Sequence, residues 1–293
     1  MQDHTPENMA RAVMEACADC DICRHLMEDT PCLVFPELYR LFDKEAEKKE
    51  RITPAELRGL VELCNFCALC PCPNIRADIM KAKHAFIQRQ GLKPTIRLLE
   101  DVERVARICG AYPRLANLLF QSKWTGRLLK GLAGIHADRK VPGFPEESFP
   151  SWAKSRGLHV LKEGGHRKVA FFAGCTGQYL FPAVPRAAVE VLEHNSIQVY
   201  VPEQKCCGMP SLLEGDRELT LEFAAFNVDR LSQAVDAGCE IVCSCPTCGY
   251  LLKQVLSEGA SHAAEQQETS GPSSSDAQVE DCLLYTSPSP RDS

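Results

Sequence analysis

The stretch Lys168-Val169-Ala170-Phe171-Phe172-Ala173-Gly174-Cys175 decides the fold of the C-terminal half of this chain. An unbroken apolar run of this length, closed by Gly174-Cys175, reads as a strand buried on both faces. Pro182 to Glu193 follows with Val184, Ala187, Ala188, Val191 and Leu192 at helical spacing. Ile197 to Val201 is a second strand ended by Pro202, and Glu218 to Ala237 is a helix ended by Gly238. Glu240-Ile241-Val242-Cys243 is a third strand. Strands alternating with helices predict an α/β layer with a parallel sheet.

Cysteines follow each strand. Cys175 follows the first, Cys206-Cys207 the second, and Cys245 and Cys248 the third. Ligands bind outside the carboxyl ends of strands in open α/β sheets, so these thiols are expected to converge there. Adjacent residues of a regular strand point to opposite faces. Cys206 and Cys207 can face one site only in a turn, which Gly208 permits. So many convergent sulfurs suit a metal or cluster better than a disulfide. Lys205 or a helix N-terminus would stabilise thiolates there. Cys109 and Cys239 read as small core residues, and Cys243 as a side candidate facing the same way as Cys245.

The N-terminal third carries a different pattern. Cys17, Cys20 and Cys23 form a C-x2-C-x2-C triplet, and Cys64, Cys67 and Cys70 form a second, followed by Cys72-Pro73. Each is preceded by a helical stretch: Thr5-Pro6-Glu7 opens one with Met9, Ala10, Val13 and Ala16. Thr53-Pro54-Ala55-Glu56 is a capping box that opens another with Leu57, Leu60 and Val61. Ile75, Ile79, Ala82 and Phe86 recur at helical spacing before Gly91, and Asp43 to Arg51 is a mixed charge run expected on a solvated helix face. The domain is expected to be mostly helical.

Such triplets wrap three thiolates around one [4Fe–4S] cluster, with the fourth drawn from the other motif. That logic gives Cys17, Cys20, Cys23 and Cys72 to one cluster and Cys64, Cys67, Cys70 and Cys32 to another. Eight residues separate Cys23 from Cys32 and one separates Cys70 from Cys72, where three is usual. Structural zinc is the alternative, but it prefers separated C-x2-C pairs. His25 stands beside Cys23 as a surface residue or a donor to a cluster sulfur.

Between the halves, residues 92–166 read as a helical connector. Ile96, Leu99, Val102, Val105 and Ile108 make one stripe. Leu115 to Leu132 makes a second, with Arg114, Lys123, Arg127 and Lys130 as its charges and no acid. A basic amphipathic helix of this kind lies on an anionic membrane surface, on an acidic partner, or on the protein's own domains. Pro142 to Pro150 reads as linker.

Seventeen cysteines in a chain without a signal-peptide pattern point to metal or redox chemistry. A formal charge of −6 does not suit nucleic acid as a partner. No apolar run is long enough to span a bilayer, and no P-loop, dinucleotide fingerprint or Ser/His/Asp arrangement is present. A cytoplasmic location is expected. Ser270 to Gln278 reads as linker, and Cys282 onward resembles a translated sequencing adapter, with a genuine disordered tail as the alternative; on the adapter reading the natural protein is expected to continue beyond this chain.

Cys175…Cys206-Cys207-Gly208…Cys245-Pro246-Thr247-Cys248 resembles the cysteine-rich CCG domain of heterodisulfide reductase subunits, glycolate oxidase iron–sulfur subunits and lactate-utilisation proteins. With two triplets ahead of it, the combination is most similar to the iron–sulfur subunits of the anaerobic glycerol-3-phosphate dehydrogenase type. The resemblance implies an α + α/β architecture. Residues 1–91 would be an α-helical ferredoxin-type domain with two [4Fe–4S] clusters, 92–166 the connector, 167–262 a first CCG domain, and 263–293 linker and tail. A second CCG copy is expected in the full protein. For Cys175, Cys206, Cys207, Cys245 and Cys248 it implies zinc or a non-cubane [4Fe–4S] cluster. It implies an electron-transfer subunit that takes electrons from a flavin-containing dehydrogenase partner, of glycerol-3-phosphate or 2-hydroxy acid type. These would pass towards quinone, with the chain peripheral on the inner membrane face. Heterodisulfide-type disulfide chemistry at the CCG site, and a non-enzymatic redox-sensing or binding module, are the alternatives.

Overall fold

A computed structural model of the chain describes residues 5–18, 20–26, 30–67, 70, 72–122, 124–162 and 167–256. The linker and adapter readings from Ser270 onward, and the charge of Lys123, lie outside the described residues. By packing the chain divides into two units, one of residues 1–94 with 210–217 and one of 95–209 with 218–293.

Described residues of the first unit are all helix and loop. The helices are α1 (Pro6–Ala18), α2 (Asp21–Leu26), α3 (Val34–Ala46), α4 (Pro54–Glu62) and α5 (Pro73–Gln90). Ala10, Val13 and Met14 of α1 meet Leu38 and Leu41 of α3, Leu57, Leu60 and Val61 of α4, and Ile79, Ala82 and Phe86 of α5 in one buried cluster. These are the one-turn spacings that give a helix an apolar face. The Thr53 box forms as read: its hydroxyl accepts from the Glu56 amide and the Glu56 carboxylate accepts from the Thr53 amide. Arg89 closes the far end of α5 onto Glu7 of α1. Helix α3 departs from the charge-run reading. Its apolar face spans Val34, Phe35, Leu38 and Leu41, and only its last turn enters the charged stretch.

The second unit opens with α6 (Pro94–Glu100) and α7 (Val102–Gly110), then α8 (Pro113–Gln121), α9 (Thr125–Leu132) and α10 (Phe149–Ser155). The stripe from Ile96 to Ile108 is thus two helices, because Asp101 caps the amide of Arg104 at 3.0 Å and restarts the chain as an N-cap. Leu115 to Leu132 is likewise broken at Ser122. The Thr125 hydroxyl donates to the Leu119 carbonyl at 2.8 Å, and Gly126 packs where a Cβ would lie 2.4 Å from the Phe120 carbonyl.

The α/β layer has β1 (Lys168–Phe172), α11 (Gly174–Tyr179), α12 (Ala183–His194), β2 (Gln198–Tyr200), α14 (Arg217–Asp236), β3 (Glu240–Cys243) and α15 (Pro246–Tyr250), the last continued by a π-turn, Leu251–Val255; α13 (Met209–Glu214), between β2 and α14 in the chain, packs with the first unit. The strand order is β2-β1-β3, all parallel, with Lys168 opposite Gln198 and Phe172 opposite Cys243. The central β1 is buried as its composition requires. Val169, Phe171 and Ala173 join Phe149, Ala153, Val189 and Val199 in one core. Phe149 comes from the stretch read as linker: it starts α10, capped by Ser148, and its ring lies 5.9 Å from that of Phe171.

Candidate metal centres

The three strands deliver their cysteines to one sheet edge. The turn after β1 needs Gly174, whose φ is +69° and whose Cβ position would lie 2.7 Å from Cys248 Sγ. A side chain there would be strained and would strike the site. Cys175 Sγ and Cys206 Sγ are 3.3 Å apart. Hydrogen bonds from Cys206, then Cys248, hold Cys207 as a thiolate and bring its pKa down to about 3 despite burial. Cys175 is lowered by the Cys206 thiol, whereas Cys206 and Cys248 are raised because they donate, to Cys175 and Cys207 respectively. Cys175, Cys206, Cys207 and Cys248 are buried, and Cys245, the N-cap residue of α15, is half-buried. Cys243 lies close to this row of cysteines: burial, then its neighbours Cys207 and Cys245, push it up to about 11.

Lys205 does not serve the thiolates. Its ammonium binds Glu222 at 2.6 Å and sits 5.1 Å from the centre of the Phe226 ring. Backbone amides, including that of Met209, add to the stabilisation of Cys207.

Residues with no motif hold the edge in shape. Gln204 is buried, accepts from the amides of Ala173 and Gly174 at 2.7 and 3.3 Å, and donates to the carbonyls of Phe171 and Pro202 at 3.1 and 3.2 Å. Asn227 of α14 accepts from the Lys205 amide and donates to the Cys206 carbonyl, both at 2.9 Å. Ser244 donates to the Ala173 carbonyl at 3.2 Å. On α7, the Glu103 carboxylate accepts from the Cys206 amide, and burial raises its pKa. Tyr179 is pushed up to about 12 by burial, then by Glu103.

In the helical unit, Cys17 ends α1, Cys23 lies on α2, and the amides of Cys20 and Cys23 step back to the carbonyls of Cys17 and Cys20 at 3.2 Å each. Cys72 is the N-cap residue of α5. Burial, then the neighbouring Cys23, Cys70, Cys72 and Cys20, push Cys17 up to about 12. Burial, then the neighbouring Cys64, Cys32 and Cys67, raise Cys70 to about 11. Phe66 takes a left-handed φ of 52° between Cys64 and Cys67, which turns the loop tightly. Cys70 and Cys72 both act on Cys17 of the first triplet, and Cys32 acts on Cys64 and Cys70 of the second.

Among the described residues no three His, Cys, Asp or Glu side chains converge as ligands of one ion. A zinc ion needs all its sulfurs at about 2.3 Å from one point. An iron–sulfur cube binds each thiolate through a different iron, so its ligands stand further apart. The donor chemistry fits such a group. Crowded thiols whose pKa values are raised by burial and by one another need a cation to ionise. The Tyr39 hydroxyl is buried without a hydrogen-bond partner, in the field of Cys23, Cys17 and Cys20. A sulfide would accept from it.

Comparison with known proteins gives a family model, the cysteine-rich CCG domain, matching residues 169–253. One of the subunits of the fumarate reductase (CoM/CoB) of Methanothermobacter marburgensis is 32% identical over 236 residues, 72% of this chain and 47% of that protein. One of the subunits of the anaerobic glycerol-3-phosphate dehydrogenase of Escherichia coli K12 is 24% identical over 170 residues, 57% of this chain and 42% of its own. An uncharacterized iron–sulfur protein of Methanocaldococcus jannaschii is 32% identical over 92 residues, 31% of this chain and 18% of that one. In each case the aligned part is less than half of the relative's length. No solved structure matches.

Proposed function

We propose that this chain, an iron–sulfur protein of the CCG cysteine-rich type, works as an electron-transfer subunit of an oxidoreductase. The observation that carries this is the electrostatic crowding of the two triplets with Cys72 and Cys32: Cys72 acts on Cys17, and Cys32 on Cys64 and Cys70. It supports one [4Fe–4S] cluster on Cys17, Cys20, Cys23 and Cys72 and another on Cys64, Cys67, Cys70 and Cys32, in a ferredoxin-type helical domain. The clusters would supply one-electron storage. The chain's own part is to supply four thiolates to each site, from buried Cys17, Cys23 and Cys64 to exposed Cys67 and Cys72, and to tune potential through its donors and charges. Names of the similar proteins support a dehydrogenase or reductase partner, of which a flavin subunit is the donor we favour. Quinone at a membrane surface is the favoured acceptor, supported by the exposed apolar residues of α8 and α9. The CCG site, with Cys175, Cys206, Cys207, Cys245 and Cys248, would hold zinc or a non-cubane iron–sulfur cluster.

The Cys207 thiolate favours a second reading, thiol–disulfide exchange at the CCG site. There Cys207 Sγ would attack a disulfide, forming a mixed disulfide and releasing one thiolate; a neighbouring cysteine, losing its proton, would then displace the second half as a thiol and leave a disulfide to Cys207, which two electrons from the dehydrogenase or reductase partner would reduce. Iron, zinc and acid-labile sulfide analysis of anaerobically purified protein, with low-temperature EPR after reduction, tests both. We expect two cubane-type signals in the full-length chain and about eight iron and eight sulfide for the two triplets. Zinc without sulfide would sink the electron-transfer reading. Disulfide turnover that survives loss of the triplet cysteines would move the chemistry to the CCG edge.

A further inference from the structure

Lysine is almost never fully buried without compensation. Lys83, on α5, is 5% exposed. Its ammonium donates to the Cys64 carbonyl at 2.9 Å and to the Leu213 carbonyl at 2.7 Å, both within the helical unit. Carbonyls satisfy its protons without cancelling its charge. Burial lowers its pKa, and Cys64, Glu214 and Glu62 act against that to favour the ammonium. The reciprocal effect falls on Cys64, whose thiolate Lys83 favours.

The first triplet is placed differently. Burial and four neighbouring cysteines act on Cys17. Arg24, which follows Cys23 in the chain, is ion-paired to Asp43 at 3.1 Å and lies over the Tyr39 ring. That cation is balanced and half-exposed, where water and salt screen it. Lys83 acts in a buried, low-dielectric setting, where a charge reaches further.

Reduction adds an electron to a cluster, and a nearby buried cation favours the reduced form. We infer that Lys83 sets the potential of the centre at Cys64, Cys67, Cys70 and Cys32 above that of the centre at Cys17, Cys20, Cys23 and Cys72. The electron then rests on the Cys64 side. This rests on the two-cluster reading proposed above.

The test is an EPR-monitored redox titration of the anaerobically purified full chain, as wild type, Lys83→Gln, Lys83→Arg and Glu214→Gln. Wild type should give two reduction waves. Lys83→Gln keeps a donor and loses the charge; it should lower the upper wave by about tenfold in its equilibrium constant, about 59 mV for one electron, and leave the lower wave in place. Lys83→Arg should restore the upper wave. Glu214→Gln, at an exposed position, should raise it. Equal movement of both waves, movement of the lower alone, or no movement overturns the inference. If Lys83→Gln does not retain iron, the Glu214→Gln shift decides: an upward shift of the upper wave supports the assignment, and no shift overturns it. Iron and sulfide for fewer than two clusters in wild type would instead remove the reading beneath it.

Discussion

Gly174 and Gly59 carry the same residue type for opposite reasons. Gly174 has φ +69°, and a Cβ on it would lie 2.7 Å from Cys248 Sγ. Gly59, inside α4, has nothing within 4 Å of its Cβ position. Gly174→Ala should therefore cost about 1–2 kcal/mol for the backbone alone and perturb the thiol row. Gly59→Ala should stabilise by about 0.5–1 kcal/mol. Urea unfolding of the two variants, with thiol titration of the native state, measures both; equal effects would refute the placement of Gly174. The sequence makes this position legible, since Gly174-Cys175 closes the decisive strand. Gln204 and Asn227 were not legible. Each fixes the edge by several hydrogen bonds to backbone atoms far away in sequence. No spacing rule points to an amide side chain whose partners are carbonyls and amides of other elements. Lys205 shows the reverse error: nearness in sequence to Cys206 suggested a role that Glu222 takes away.

At the scale of elements, the local signals held best where the hydrogen bonds are local. The Thr53 capping box and the strand from Glu240 to Cys243 stand where their residues put them. Apolar periodicity overran the true ends in the connector because Asp101 and Ser122 break two stripes that a helical wheel draws as continuous. The break matters for α8 and α9. Leu115, Leu118, Trp124, Leu128 and Leu132 are exposed on and beside the two short helices, Trp124 at 89%. Arg127 and Lys130 lie on α9, and neither helix contains an acid. No helix among the described residues is long and apolar enough to cross a membrane. A surface of this kind suits the interface of an anionic bilayer. Vesicles containing phosphatidylglycerol should shift the Trp124 emission to the blue and sediment the protein, with binding weakened by salt. Trp124→Ala combined with Leu128→Ala should reduce binding at least tenfold. Equal binding to neutral vesicles, or none to either, would refute a lipid-facing role.

For the molecule as a whole, acid should act on the helical unit through carboxylates that folding acidifies. The Thr53 amide, then Lys44 and the Thr53 hydroxyl, bring Glu56 from 4.5 down to about 2, and Arg89 lowers Glu7. Between those values the unfolded chain binds more protons than the folded one. The contribution is therefore present above 4.5 and is lost as the pH falls towards 2. Far-UV circular dichroism across that range should show helix stability declining, and Glu56→Gln should flatten the decline; a parallel curve would argue against the link. Fold class was legible at this scale because strand and helix alternate in simple order. The division of the chain was not. Pro210–Arg217 follows the Cys-Cys turn in sequence yet packs with residues 1–94, held by Lys83 at Leu213 and by His84 at the Gly215 carbonyl, 3.1 Å away. The chain therefore crosses between its two units three times rather than once. A gene cut at residue 94 would not release a finished cassette: the first product would lack the segment 210–217, and the second would carry that segment without the helices it packs on. Recombination can exchange these halves between proteins only as a pair, or by rebuilding the eight-residue segment from 210 to 217 on the new partner.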